Sequence, residues 1–243
     1  TFQLAHILCF VESETILNDI TSDSNFESQR ALARCHVELA NYFAAAQLMP
    51  YDAFHAMAEQ SKYDIDRMAS AFAVSFEQVC QRLTTLQRET KRGVPFFFLR
   101  VDKAGNVTKR FNATSFNIAE HGGSCPVWNL HTAFRTPGVI LPQYVELTDG
   151  EKFFTLARTT ERPVFSMQTQ DRRLAISLGC DIKHASKLIY TSAFPKPAND
   201  AFSKIGINCH LCLRHNCSQR AHDPLFIELN TDTTRRGETR YES

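Results

Sequence analysis

This 243-residue chain has almost no excess of either charge, with a formal net charge of +1. A surface so near neutrality does not grip nucleic acid along its whole length as a polyelectrolyte does. No apolar run approaches the roughly 18 residues of a membrane span; the most conspicuous is Val94 to Leu99. No signal peptide is recognisable, so the expected setting is cytoplasmic and reducing, with no membrane partner. G-x-S-x-G, the Walker loop and G-x-G-x-x-G are all missing, which removes the common hydrolase, NTPase and dinucleotide signatures. There is only one tryptophan, Trp128.

What is present is ordinary globular composition, 43% hydrophobic and 22% charged, too apolar for a disordered chain. At roughly 150 residues per domain the length suits one to two domains, and it can bury a full core without covalent staples. Residue 1 is Thr, and Phe2, Leu4, Ala5, Ile7 and Leu8 already read as a helix in progress, so a fragment of a longer protein is expected. Charge is uneven: residues 1–60 carry eight acids and two bases. Residues 88–110 carry Arg88, Lys91, Arg92, Arg100, Lys103, Lys109 and Arg110 against Glu89 and Asp102. Such a segment is either a solvated hairpin face or an anion site for a phosphate-bearing ligand.

The eight cysteines are of two kinds. Cys9, Cys35 and Cys80 stand among apolar residues in helical patterns and read as small buried hydrophobes. Cys209, Cys212 and Cys217 form C-x-x-C with a third thiol five residues on, a spacing that lets the sulfurs share one metal. For the fourth ligand Cys180 comes first, with Cys125, His210 and His215 behind it. Zinc is the simpler occupant, and an iron–sulfur cluster uses the same donors. A bare set of reduced thiols is the alternative.

Periodicity predicts helices over 1–18, 29–48, 51–60, 64–72 and 75–87, the last opened by a Ser75/Gln78 capping box. The 64–87 stretch also has the order of a helix-turn-helix, with Gln78, Gln81, Arg82 and Thr85 placed on the outer side of its second helix. After Gly93 the pattern turns to strands: a hairpin over 94–112, a second over 139–158, and a strand at 174–178. A short helix from Pro126 carries Trp128, His131 and Phe134 between the hairpins, and a helix is predicted over 182–190. The expectation is an α+β chain with an antiparallel sheet and helices on one face. Residues 1–90 form the helical domain, 91–230 the sheet domain with its Cys-rich metal loop, and 231–243 a flexible tail.

Several strings are similar to known families. Phe2-Gln3-Leu4-Ala5-His6 and the segment from Glu38 through Ala40-Asn41-Tyr42-Phe43 to Leu48-Met49-Pro50 resemble IrrE/ImmA-type metallopeptidase domains. That family's H-E-x-x-H places two histidines on one helix face to grip zinc, with the glutamate as base. Here His6 is followed by Ile7, position 10 is Phe, and Glu38 stands where the third ligand would be. The resemblance therefore implies a degenerate, non-enzymatic domain.

Four further strings resemble the short-chain fatty acyl-CoA regulators, transcription factors of bacterial acetate and propionate metabolism. They are Val74 to Arg88, Gly93 to Phe98, Gly122-Gly123-x-Cys125-Pro126-x-Trp128, and Cys209-x-x-Cys212-x-Arg214-x-x-Cys217-x-Gln219-Arg220-Ala221.

The family resemblance implies a homo-oligomeric regulator. It senses a short acyl-CoA, propionyl- or acetyl-CoA, and reaches promoter DNA through an N-terminal helix-turn-helix domain absent from this chain. Arg88, Lys91, Arg92, Lys109 and Arg110 are the expected phosphate partners, and Trp128 and His131 the expected walls of the acyl pocket. The Gly-Gly-Ser-Cys-Pro helix start suits a phosphate or thioester oxygen. The competing readings are a zinc peptidase acting on a partner repressor, and a metal or redox sensor working through the thiols.

Overall fold

The computed structural model describes residues 1–22, 24–117, 123–160, 173–197 and 201–229; the predicted tail and Gly122 lie outside them. The chain divides into two units, Thr1–Leu86 and Gln87–Ser243. Among the described residues no helix is long and apolar enough to cross a membrane.

The first unit is all helical. In place of one helix over 1–18 there are two, α1 (Phe2–Glu12) and α2 (Glu14–Ser22), interrupted at Ser13, whose ψ of 19° departs from the helix. The remaining helices follow their sequence signals. α3 (Gln29–Leu48) starts where the Ser28 hydroxyl accepts from the Ala31 amide at 3.1 Å. α4 (Tyr51–Ser61) follows Pro50. α5 (Ile65–Phe72) is capped by Asp64, and α6 (Phe76–Thr84) opens on the reciprocal Ser75/Gln78 box. Met49, Phe54, Tyr63, Ile65, Met68 and Leu83 are buried as the core.

The helix-turn-helix reading of 64–87 is corrected here. Its geometry forms, but no residue of α6 is exposed, and Arg82 is only 3% exposed. Arg82 donates from Nε to the Met49 carbonyl at the end of α3 (3.1 Å) and from a terminal nitrogen to the Thr85 hydroxyl (3.0 Å). Its guanidinium lies over the rings of Tyr42 and Tyr51, 5.7 and 5.9 Å from their centroids. The residue picked out to face DNA instead ties α3, α4 and α6 together, with its charge at a helix C-terminus where a cation is favoured.

The second unit is a six-stranded sheet ordered β2-β1-β5-β4-β3-β6. Its strands are β1 (Phe97–Val101), β2 (Val107–Asn112), β3 (Leu141–Glu146), β4 (Lys152–Thr160), β5 (Leu174–Asp181) and β6 (Ser203–Lys204). All pairs are antiparallel except β3–β6. The two predicted hairpins form, and β5 inserts between them. The helix predicted over 182–190 is a 3-10 turn, Ile182–Lys187, followed by a short helix at Tyr190–Ala193.

Register assigns side chains to faces, because neighbours along a strand alternate. Phe97 opposes Gly179, which opposes Thr155, which opposes Gln143. That face, with Leu99, Val101, Val145, Phe153 and Ala157, builds the core with Phe116, Cys125, Trp128 and Leu130. On the other face Cys180 opposes Phe154, which opposes Tyr144. Gly179 is required where it stands: a Cβ there would lie 2.4 Å from the tip of the Phe97 ring and 3.0 Å from the Thr155 methyl. The missing side chain lets Phe97 lie across β5, stacked on Phe116 at 4.0 Å and edge-on to Trp128 and Phe153 at 6.1 Å each.

Gly179→Ala is expected to lower unfolding free energy by about 1–3 kcal/mol, because Phe97 must leave its rotamer. Ser177→Ala, two residues away on the same face, removes a buried hydroxyl that has no partner. It is expected to be neutral or mildly stabilising. Urea unfolding of the two variants checks the pair; equal costs would mean that Phe97 does not depend on the gap.

Candidate functional site

The segment from Gly123 to Phe134 crosses the Phe97 face of the sheet. Its start is held by the β1–β2 turn: Ser124 donates its amide to the Gly105 carbonyl at 3.3 Å, and Asn106 bridges to Gly123. Its middle is clamped by Gln143 of β3, which accepts from the Asn129 amide (2.8 Å) and donates to the Val127 carbonyl (3.3 Å). Asn129 then starts the short helix α7 (Asn129–Thr132) and donates to the Leu141 carbonyl. Gln143 and Asn129 are positioning residues that the sequence reading missed. Each is a lone amide whose partner lies a dozen or more residues away.

This clamp places Trp128 and His131 on either side of Ser124. Trp128 is 3% exposed, and its indole N–H is buried without a partner. It lines a cavity with Leu99, Val107, Phe116, Ser124 and Gly206 that leaves about 10 Å³, the room of one water molecule. His131 Nε2 lies 3.0 Å from the Ser124 hydroxyl. Burial pushes its pKa below the ordinary imidazole range, while backbone groups of Ser124 and Cys125 act the other way. On its outer side His131 lines an open groove of about 380 Å³ with Lys103, Phe134, Arg135 and Arg173. Ser124 lines the small cavity and His131 the open groove, and the contact between them links the two spaces.

The five basic residues proposed from the sequence are not drawn together. Lys109 opposes Arg100 and Arg110 opposes Leu99, so the two point to opposite faces of the sheet. Arg88 and Arg92 are exposed ahead of β1 and, like Lys91, line neither the cavity nor the groove. The cations at the groove are Lys103, Arg135 and Arg173, from the β1–β2 turn, the end of α7 and the start of β5. Only Lys103 lay within the basic run picked out by charge density.

The thiol loop is anchored by two arginines of the Cys-x-x-Cys-x-Arg string. Arg214 donates to the carbonyls of Glu146 (2.8 Å) and Leu147 (2.9 Å) at the end of β3. Arg220, 4% exposed, donates to the carbonyls of Cys209, Cys212 and Arg214. Gly206 allows close approach, since a Cβ there would stand 2.7 Å from the Cys212 sulfur. The Ala221 amide reaches the Cys209 sulfur at 3.4 Å.

The choice of Cys180 as fourth thiol is corrected. Cys180 points to the Phe154 face, whereas the thiol that meets the loop is Cys125, on the other side of the sheet. Burial raises the Cys125 pKa; the Cys212 and Cys209 thiols raise it further, and the Gly206 and Val127 amides that hydrogen-bond it act in the opposite direction. Burial raises Cys180 also, with Asp181 adding to it. His210 stacks on His222 at 4.6 Å. Among the described residues no three His, Cys, Asp or Glu side chains stand at metal-ligating separation. At the degenerate peptidase positions, His6 lies edge-on to Phe10, where the second histidine of a zinc helix would be (5.4 Å), and Glu38 is exposed on α3.

The chain is thus an all-helical unit followed by a sheet unit that bears the clamped 123–134 segment and the basic groove. A solved structure described as a Mycobacterium tuberculosis transcriptional regulator superposes with a TM-score of 0.92 at 40% identity, over 100% of this chain and 73% of that one. Residues 1–84 match the IrrE N-terminal-like domain, and residues 85–241 match the C-terminal domain of the short-chain fatty acyl coenzyme A regulators. The chain belongs to this last family. It is 42% identical over 241 residues to a propionyl-CoA carboxylase regulator of Cereibacter sphaeroides. Over 236 residues it is 39% identical to the HTH-type transcriptional regulator RamB of M. tuberculosis, and over 220 residues 42% identical to PrpR of the same organism. It spans 99%, 96% and 90% of itself in these matches but only 52%, 50% and 45% of the relatives, about half their length.

His131 provides a pH test. Its folded pKa lies below the unfolded value of about 6.5, so the unfolded chain takes up the proton first. Stability is intact above about pH 6.5 and falls as pH drops through that value, until folded His131 itself titrates. His131→Gln is expected to flatten the stability curve between about pH 7 and 5. The share from His184, which burial and Lys183 also hold low, is kept. A parent-like slope in the variant would show that His131 is not the group being protonated.

Proposed function

We propose that this chain is the effector-sensing part of a regulator of propionate or acetate metabolism that binds a short acyl-CoA. The observation that carries the reading is the small cavity at Trp128 within the family's acyl-CoA regulator domain. The buried indole N–H is a donor without an acceptor, which costs stability until something accepts from it. A thioester carbonyl supplies that acceptor, and an acyl group of two or three carbons suits the apolar walls of Leu99, Val107 and Phe116. The cavity as it stands admits only a water-sized guest, so the acyl group binds an opened form of the 123–134 segment. Binding then shifts the population toward that form, which is how a ligand biases a two-state element. Two relatives are named HTH-type transcriptional regulators, which supports a DNA-binding region elsewhere in the protein; a homo-oligomer in the cytoplasm completes the proposal.

The loop thiols have the chemistry of metal donors, although no three of them stand at ligating separation in the structure. Cys125, which interacts with Cys209 and Cys212, together with Cys217 of the same loop, would supply an all-sulfur donor set for zinc or an iron–sulfur cluster if the loop closed on the ion. The Gly206 and Val127 amides that hydrogen-bond the Cys125 sulfur act against the burial that raises its pKa. When bound, the metal would tie the loop to the 123–134 segment.

Two measurements test these readings. Trp128 is the only tryptophan, so its fluorescence reports the cavity directly. Propionyl- or acetyl-CoA is expected to change its emission and raise the melting temperature, and butyryl-CoA and free coenzyme A to do so less. Free coenzyme A loses roughly 0.8 kcal/mol per methylene left unburied, and butyryl-CoA carries a carbon more than a small pocket holds without overpacking. Equal responses to all four would remove the acyl pocket from Trp128. For the metal, elemental analysis is expected to find zinc or iron in the parent and in Cys180→Ser, and its loss in Cys125→Ser. A folded parent without metal, or loss confined to Cys180→Ser, would overturn the assignment.

A further inference from the structure

We infer that the outer side of α1 and α2 is a docking face, and that its occupant is a basic amphipathic helix from the half of the protein outside these 243 residues. The inference rests on the reading above that this other half carries a DNA-binding region. Relatives about twice as long as this chain show the room for such a segment. Helix α1 has one buried residue, Cys9, which packs with Leu17 of α2 and Ala40 of α3. Its other side is apolar as well. Leu4, Ile7, Leu8 and Val11, spaced three and four apart, form one stripe along the helix. All four are exposed, Leu4 by 73% and Val11 by 75%. Helix α2 adds Ile16 and Ile20, both more than half exposed. These six side chains leave roughly 600 Å² of apolar surface in solvent, the size that marks an interaction site on a monomer. A helix that is apolar on both sides belongs between two partners, and α3 is only one.

The charge around the stripe decides the occupant. Residues 1–28 contain five acids and no Lys or Arg. Glu12 follows Leu8 by four residues and Asp19 follows Ile16 by three, so each acid stands beside an apolar residue of its own helix. Both acids are exposed. A second copy of the chain is the wrong occupant, because two such faces brought together oppose like charges. A helix with apolar anchors on one side, flanked by Lys and Arg, matches both the stripe and its acidic border. A region that binds DNA needs cations to neutralise phosphates. The 243 residues themselves are near neutral, at +1, so those cations belong to the other half. Docked on α1 and α2, such a helix couples the helical unit to the part of the protein that acts on DNA.

The test compares the complete protein with the 243-residue chain by carbene footprinting. A photolysed diazirine labels exposed side chains, and mass spectrometry reads the label on residues 1–22. That labelling is expected to be severalfold lower in the complete protein, at low and high protein concentration alike. A Glu12→Lys/Asp19→Lys double variant of the complete protein should recover the labelling of the 243-residue chain. Raising the salt concentration should recover part of it in the parent, since exposed charge pairs are screened. The same double variant of the 243-residue chain should melt as its parent does, which checks folding.

Equal labelling of the complete protein and the 243-residue chain overturns the inference. So does protection that grows with protein concentration, which makes the occupant a second copy. Protection that survives both charge reversal and high salt removes the basic helix. Binding of the complete protein to DNA from upstream of its own gene is measured alongside. Protection without DNA binding keeps the docking face and removes the DNA-binding reading. DNA binding with α1 and α2 fully labelled does the reverse.

Discussion

The Phe97 ring lies across β5 in the space left by Gly179, and the candidate site depends on that contact. Because the ring lies flat over the strand, Phe116 stacks on it and Trp128 and Phe153 meet it edge-on. Together they form the floor on which the 123–134 segment rests. A methyl group at residue 179 would raise that floor and move Trp128 with it. The stability of the sheet and the shape of the cavity are therefore set by the same few atoms, and changes to one are felt by the other, as expected of an interior packed to crystal density.

The 123–134 segment joins three features that are far apart in sequence. Its start is pinned by the β1–β2 turn, its Cys125 thiol meets the loop of Cys209 and Cys212, and its α7 end carries His131 and Arg135 to the groove. The polar fastenings are few and specific: Gln143, Asn129, Arg214 and Arg220 each serve backbone groups that would otherwise be buried unpaired. A segment held by a handful of hydrogen bonds over an apolar floor has a small number of alternative seats. This is the physical basis for proposing it as the element that an effector would move. In the helical unit Arg82 plays the comparable fastening role, joining the end of α3 to α6.

Much of this organisation was legible in the residues. Caps and periodicity placed four of the six helices of the first unit to within a few residues, because a cap and its helix are neighbours in sequence, whereas the stretch read as one helix over 1–18 is two. Both hairpins were marked by their turns. The family strings identified the acyl-CoA regulator domain, and Trp128 and His131 were picked out as a pair. The misreadings share one cause. Arg82 was assigned to an outer face, Lys109 and Arg110 to one cation cluster, and Cys180 to the thiol loop. In each case the decision lay with a partner that sequence spacing does not reveal.

By itself the sequence determined most of the helices and strands, that the chain is α+β, which thiols lie in one loop, and which family the strings belong to. These follow from local periodicity, capping and motif spacing. Only the tertiary structure decided which cations meet, that Arg135 and Arg173 join Lys103, and that Cys125 and not Cys180 approaches the loop. The reason is strand register. The insertion of β5 between the two hairpins brings Gly179 opposite Phe97 and sends Cys180 to the far face. A shift of one residue would exchange them, and no local pattern in the chain records which of the two faces the site.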